Sequence, residues 1–251
     1  MGMLDGKTAI VTGGGQGVGR GIALALSAEG AGVTVAARTE SKVQAVAAEI
    51  TDRGGSALAL VCDVNELDDI QACVDRTVEH FGTIDILVNN AQQVPHGHLL
   101  EVSDEACMAA WTSGALASIR FMRLCHPYLK DGGVIINQGS GSSLKTDPSG
   151  MGVYAGVKSA IQSITRAAAM EWGADGIRAI TLMPVAMSPA MEDWKGFNPD
   201  GFAALQERFA LKRVGDAEVD IGRVVAFLCS DTAGYMTGTT VNIDGGDAYL
   251  R

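Results

Sequence analysis

Tyr154-Ala155-Gly156-Val157-Lys158 sets a phenol and an amine four residues apart, a separation that puts both on one face of a helix. A phenol with an ordinary pKa of about 10 is a poor base at neutral pH unless a cation steadies its phenolate. Lys158 can supply that cation and still reach the ribose hydroxyls of a nucleotide bound beside it. A lysine snorkelling past a buried tyrosine would give the same spacing without chemistry. Ser140 lies fourteen residues before Tyr154, in Gln138-Gly139-Ser140 at the end of an apolar run. Its hydroxyl can hydrogen-bond the same substrate oxygen that Tyr154 protonates. Ser140, Tyr154 and Lys158 are the candidate catalytic residues, and proton transfer at a carbonyl or secondary alcohol is the chemistry they suit.

A second group of residues suits a nucleotide. Thr12-Gly13-Gly14-Gly15-Gln16-Gly17-Val18-Gly19 follows the apolar run Ala9-Ile10-Val11 and precedes a helical pattern at Ile22, Leu24, Ala25, Leu26 and Ala28. Strand, glycine-rich turn and helix is the arrangement that binds a dinucleotide pyrophosphate. Gly13 can turn the chain at positive φ, and Gly17 and Gly19 remove side chains that would keep backbone N–H groups from phosphates. Gln16 and Val18 sit between them. The Gly-x3-Gly-x-Gly spacing is wider at the first gap than the commoner fingerprint, and a purely structural turn is the competing reading. About 20 residues further on, an NAD site usually carries an acid for the ribose hydroxyls. Here Ala37 and Arg38 stand instead, and a guanidinium can clamp a 2′-phosphate. NADP(H) is the expected cofactor, with a solvated arginine as the other reading of Arg38 and NAD(H) kept open by nearby Glu40. Asp63-Val64 can hold an adenine edge, although Asp63 can equally cap the helix expected near Glu66. Asn89-Asn90-Ala91 tops a strand where a cofactor ribose would lie.

These residues need a frame. Strands are expected near 7–12, 32–37, 57–62, 84–89, 134–137, 178–182 and 239–243, and helices near 17–30, 41–53, 66–81, 103–128, 153–172 and 217–230. Continuous apolar strands alternating with helices predict an α/β fold, a parallel sheet covered by helices on both faces and joined by right-handed crossovers. The 251 residues suit one domain spanning 1–251. Met187 to Phe209, with Pro189, Trp194, Phe197 and Pro199, is long for a connection and is expected to act as a substrate lid at about 186–212. No apolar run approaches a membrane span, and Met1 to Lys7 has no signal-peptide core, so a cytoplasmic protein is expected. A net charge of −10 argues against nucleic acid or an anionic membrane as partner. The five scattered cysteines read as reduced small hydrophobes, and no metal site is expected.

Taken together, the chain resembles the short-chain dehydrogenase/reductase family, and is similar to 3-oxoacyl-[acyl-carrier-protein] reductase-like members. The resemblance rests on Thr12-Gly13-x3-Gly17-x-Gly19, Asp63-Val64, Asn89-Asn90-Ala91, Ser140 and Tyr154-x3-Lys158. Asp220-Ile221 through Leu228, Thr237-Gly238 and Asp244-Gly245-Gly246 extend it over nearly the whole chain. It implies a Rossmann-type, doubly wound sheet of seven strands and hydride transfer between a nicotinamide cofactor and a carbonyl or secondary alcohol. Tyr154 would be the general acid/base. Lys158 would lower its pKa and hold the ribose, and Ser140 would orient the carbonyl. Gly13, Gln16, Gly17, Val18, Gly19, Arg38, Asp63, Val64, Asn90, Ala91, Tyr154, Lys158 and Pro184 would bind the cofactor. A homotetramer, or less commonly a dimer, is implied as well.

Four positions depart from the family pattern. Gln92 stands where a glycine usually follows Asn-Asn-Ala. Gly114, beside Ser113, falls where an asparagine usually holds a water in the proton relay, so the relay would run through water, Ser113 or Gln92. Pro184 is followed by Val185 rather than glycine, and the interval from Ser140 to Tyr154 is one residue longer than the family usually has. Candidate substrate walls are the 92–100 loop with Gln92, His96 and His98, the 145–151 loop, and the lid with Met187, Met191, Trp194 and Phe197. Methionine and aromatic residues on such a flap favour a small apolar alcohol or ketone, unless they only pack the lid or a subunit interface. An NADP(H)-dependent oxidoreductase is the expected function. A nucleotide-binding scaffold or sensor with impaired catalysis is the alternative, motivated by Gln92 and Gly114.

Overall fold

In the computed structural model, described over residues 2–145 and 150–248, seven strands form one parallel sheet. They are β1 (Thr8–Thr12), β2 (Gly32–Ala37), β3 (Ser56–Val61), β4 (Ile86–Asn89), β5 (Val134–Gln138), β6 (Arg178–Pro184) and β7 (Thr240–Ile243), in the order β3-β2-β1-β4-β5-β6-β7. The order reverses between β1 and β4, so a crevice opens there at the strands' C-terminal ends. Helices α1 (Gly17–Ala28), α2 (Glu40–Asp52) and α3 (Leu67–Phe81) connect the first four strands. Further on come α4 (Asp104–Trp111), α5 (Ala117–Leu129), α6 (Gly152–Trp172) and α9 (Arg223–Cys229).

Side chains alternate between the two sheet faces, and both faces are covered. Ala9, Val11, Val33, Val35, Ile86 and Val88 pack with Ile22, Leu26, Ile221 and Val225 on one side. Ile10, Leu60, Leu87 and Ile135 pack with Ile70, Val74, Phe121 and Leu129 on the other. A strand buried on both faces has no polar side to show, so its sequence is continuously apolar. No helix among the described residues is long and apolar enough to cross a membrane.

Three segments differ from the sequence expectation, the first being the helix expected over 217–230, which opens with a π-turn at Ala217–Gly222. The helix expected over 103–128 is widened into a π-turn at Thr112–Leu116. Ser113 Oγ donates to the Ala109 carbonyl at 2.7 Å and Ser118 Oγ to the Gly114 carbonyl at 2.8 Å, and such back-bonding competes with the helical ladder. Residues 187–209 form two helices, α7 (Pro189–Phe197) and α8 (Pro199–Arg208). Both prolines, which in sequence look like breakers, occupy first-turn positions where no N–H is needed. Ser188 Oγ accepts from Met191 N at 3.3 Å and Asn198 Oδ1 from Gly201 N at 3.0 Å, capping each helix.

Candidate active site

A cavity of about 470 Å³ opens at the switch point. At one end, the glycine turn runs from β1 into α1, and Gly13, Gln16, Gly17, Val18 and Gly19 all line the cavity. Gly13 has φ +65°, and a Cβ at Gly19 would lie 2.3 Å from the Gly13 carbonyl oxygen, so a side chain at position 19 would break the turn. Gln16 precedes α1 in extended conformation and its side chain caps nothing. The N–H groups of the first helical turn are thus left for a ligand, and a phosphate is the group they suit.

The turn is held by its neighbour strand. Backbone N–H groups of Asn90 and Ala91 donate to Thr12 Oγ1 at 3.0 and 3.1 Å. Asn90 Nδ2 donates to the Thr12 carbonyl at 2.8 Å and to that of Gly13 at 3.2 Å. The Asn90 side chain therefore braces the turn, while Asn90 and Ala91 also line the cavity.

Arg38, Thr39 and Lys42 form one wall beyond the glycine turn. Lys42 Nζ donates to the Gln16 side-chain oxygen, so two cations flank this end of the cavity. Glu40, the acid that kept NAD(H) open, accepts from Gln44 Nε2 at 3.0 Å along its own helix and does not line the cavity. Lys42 was missed in the sequence, where it reads as an ordinary helix-surface residue; only its place four residues after Arg38 hints otherwise. Asp63 and Val64 lie in the same cavity. Asp63 caps no helix, because its Oδ1 accepts from Asn65 N at 3.0 Å and Asn65 Nδ2 at 2.8 Å.

The three candidate catalytic residues converge from two elements. Ser140 lies just beyond β5, where its Oγ accepts from Ser142 N at 3.2 Å. Tyr154 is in the first turn of α6, near enough to Ser140 for that hydroxyl to act on its phenol. The interval, one residue longer than the family usually has, therefore does not separate them; residues 146–149 within it lie outside the described residues. Burial pushes the Tyr154 phenol above its ordinary value, and the Ser140 hydroxyl draws it back in part. Lys158, 2% exposed, sits one turn along α6, with Nζ 5.5 Å from the centre of the Tyr154 ring. Its Nζ donates to the Gln138 carbonyl at 2.5 Å, and burial pulls its pKa down to about 7.

Gln92, Gln93, Ser113 and Gln138 form the remaining inner wall of the cavity, and Ser188, Pro189 and Ala190 the outer rim. The sequence marks Pro189 and the surrounding 186–212 segment, whereas Ser188 and Ala190 carry no signal of their own there. Gln92 packs over Gly114, and Ser113 is fully engaged, donating to Ala109 and accepting from Gln93 N at 3.0 Å. Pro184 ends β6 opposite Ile243 and is not a cavity wall. Met187 is half-buried and its N–H donates to the Gly215 carbonyl at 2.8 Å. Trp194 lies edge-on to Phe202 at 6.0 Å, joining α7 to α8. His96 and His98 are exposed, on a loop whose Gly97 N–H donates to the Gly150 carbonyl at 3.1 Å. Of the 145–151 loop, only Lys145, Gly150 and Met151 are among the described residues.

The chain is similar to known proteins along nearly its whole length. A family model described as enoyl-(acyl carrier protein) reductase matches residues 13–247. The chain is 37% identical to a 12alpha-hydroxysteroid dehydrogenase of Clostridium sp., covering 98% of each. It is 33% identical to a versicolorin reductase of Emericella nidulans, over 97% of this chain and 96% of that one. Among solved structures, a short-chain dehydrogenase from Burkholderia cenocepacia in complex with NADP is 32% identical, with a TM-score of 0.90 over 98% of this chain and 99% of the other. A metagenomic blue fluorescent protein in complex with NADPH is 30% identical, with a TM-score of 0.89 over the same shares. A nucleotide turn at the switch point and a Ser–Tyr–Lys group beside it thus occur here on the scaffold of named dehydrogenases and reductases, and the chain belongs to the short-chain dehydrogenase/reductase family of oxidoreductases acting on CH–OH groups.

Proposed function

We propose that the protein is an NADP(H)-dependent oxidoreductase that interconverts a small apolar ketone and its secondary alcohol. The observation that carries this reading is Tyr154 set beside Ser140 and a buried Lys158, whose Nζ lies 5.5 Å from the centre of the Tyr154 ring. The nicotinamide cofactor, when bound, supplies or accepts the hydride. In reduction, the Tyr154 hydroxyl gives its proton to the substrate oxygen, and in oxidation it takes the proton back. Ser140 hydrogen-bonds the same oxygen and fixes its direction. Burial disfavours both a Tyr154 phenolate and a Lys158 ammonium separately, so each charge becomes cheaper when the other is present.

The uncapped start of α1 fits a pyrophosphate, and Arg38 with Lys42 fits a 2′-phosphate better than a bare ribose diol. Asp63 and Val64 are assigned to the adenine side. Residues 186–212, with α7 and α8, act as the substrate lid, with Ser188 to Ala190 at its hinge with the cavity. The names of two relatives, a hydroxysteroid dehydrogenase and a versicolorin reductase, favour a cyclic apolar substrate.

Tyr154→Phe tests the reading. Turnover of a cyclic ketone with NADPH should fall by at least about 1000-fold. NADPH affinity, read by fluorescence titration, should stay within about twofold, since the phenol oxygen is assigned to the substrate. Unchanged turnover would remove Tyr154 from the proton transfer.

A further inference from the structure

Gln92 has a side chain that the fold itself does not use. Its Oε1 and Nε2 are both buried, and neither finds a hydrogen-bond partner among the described residues. An unpaired buried amide is costly and rare in native structures, so this one calls for a partner from outside the chain. Its seat is specific as well. A Cβ at Gly114 would lie 3.0 Å from both Cδ and Nε2 of Gln92, and 2.8 Å from Val157 Cγ1. Glycine at 114, within the π-turn, is thus what admits the longer glutamine, and the two positions act as one unit.

The surroundings indicate which ligand this amide meets. Gln92 lines the cavity at the end away from Arg38 and Lys42, with Gln93, Ser113 and Gln138 as its companions. Ser113 is excluded as the free polar group, because its hydroxyl is consumed by Ala109 and Gln93. Gln138 Oε1 is likewise buried without a partner, and its backbone carbonyl holds Lys158. Val157, against Gly114, immediately precedes Lys158 on α6. The unpaired amides therefore lie on the β4–β5 side of the crevice, opposite the β2 side that carries Arg38 and Lys42 and next to the elements that carry Tyr154 and Lys158. A primary carboxamide both donates and accepts, and it matches a ligand that does the same.

We propose that Gln92 hydrogen-bonds the nicotinamide nucleoside end of the bound cofactor, and that Gly114 provides the space for it. This rests on the cofactor reading above. Gln92 then selects for the complete dinucleotide over its adenylate half, and contributes to binding rather than to proton transfer.

Gln92→Met keeps the length of the side chain and removes both polar atoms. NADPH and 2′,5′-ADP, which shares the phosphate half but lacks the nicotinamide nucleoside, are titrated against the wild type and the variant. NADPH should weaken about 5- to 30-fold, the loss expected for one or two hydrogen bonds. The affinity for 2′,5′-ADP should stay within about twofold, and the unliganded variant should melt at or above the wild-type temperature, since two unpaired polar atoms have gone. Gly114→Ala, which displaces the same amide through its Cβ, should repeat the selective loss. Unchanged NADPH affinity in Gln92→Met, or equal losses of NADPH and 2′,5′-ADP, would overturn the proposal. A wild type that binds neither ligand would instead overturn the cofactor reading on which it rests.

Discussion

The two ends of the cavity are built on different rules. Around the glycine turn, polar groups are engaged: Thr12 Oγ1, the Asn90 amide and the carbonyls of Thr12 and Gly13 all hydrogen-bond within the protein. What is left for a ligand there is backbone N–H, fixed by the start of α1. On the Gln92 and Gln138 side, next to Tyr154 and Lys158, which do not themselves line the cavity, the balance is reversed. Three of the buried side-chain polar atoms without a partner belong to Gln92 and Gln138, and Lys158 is buried as a cation with one carbonyl to bind. Stability and function coincide at the first end and compete at the second. Backbone N–H groups face the crevice at one end, whereas unpaired side-chain amides mark the other.

The largest effect that sharpens this contrast is at Lys158. Its folded pKa of about 7 lies below its ordinary 10.5. The unfolded chain therefore binds the extra proton between those values, so Lys158 adds stability as pH rises from about 7, until above about pH 9 the buried Cys73, Cys125 and Cys229 thiols, held protonated by burial, oppose it. Below pH 7 the full cost of the buried ammonium is present. Lys158→Met removes the charge and should abolish turnover, by at least about 1000-fold, because Tyr154 loses its cation. At pH 6 it should also stabilise the unliganded protein by roughly 2–4 kcal/mol, less than the whole shift because the Gln138 carbonyl loses a donor. Between about pH 7 and 9 it should lack the rise that Lys158 gives the wild type. Denaturant unfolding at about pH 6 and pH 8.5 reads this, and a variant less stable than wild type at pH 6 would place Lys158 with the stabilising residues instead.

The same division explains what could be read without coordinates. Strand β2 is found at the expected residues because an apolar stretch buried on both faces leaves a one-dimensional trace, Val33-Thr34-Val35-Ala36. Tyr154 and Lys158 could be paired because a helix converts spacing four into proximity. The π-turn at Gly114 left no such trace, since widening one turn barely changes the apolar periodicity. Pro189 and Pro199 signal a break in sequence, yet each starts a helix because Ser188 and Asn198 cap it. The role of Gln92 was open for a different reason. Sequence gives the type of a side chain, whereas being unpaired depends on every neighbour.

At the phosphate end, Arg38→Ala gives the next-largest effect. Loss of a charge-assisted contact to a 2′-phosphate should weaken NADPH about 10- to 50-fold while NADH changes less than about threefold. Lys42 keeps the remainder of the preference, so the double replacement should bring the two cofactors close together. Equal losses of NADPH and NADH would mean that the guanidinium serves the fold, and the contrast between the ends would then be one of geometry alone.

The smallest effect concerns apolar surface beside the reaction end. Leu99 is 77% exposed, yet its side chain lies 3.2 Å from where a Cβ on Gly152 would stand, two residues before Tyr154. A leucine so exposed contributes little to folding, so Leu99→Ser should leave the melting temperature within about 1 °C. If it is part of the substrate wall, removing about one apolar side chain's contact should raise KM for a cyclic ketone about 3- to 10-fold, with kcat nearly unchanged. A small polar ketone, which gains nothing from that contact, should show no change. A drop in melting temperature without a KM effect would assign Leu99 to the packing of the 92–100 loop against α6, leaving Gln92 as that loop's contribution to the site.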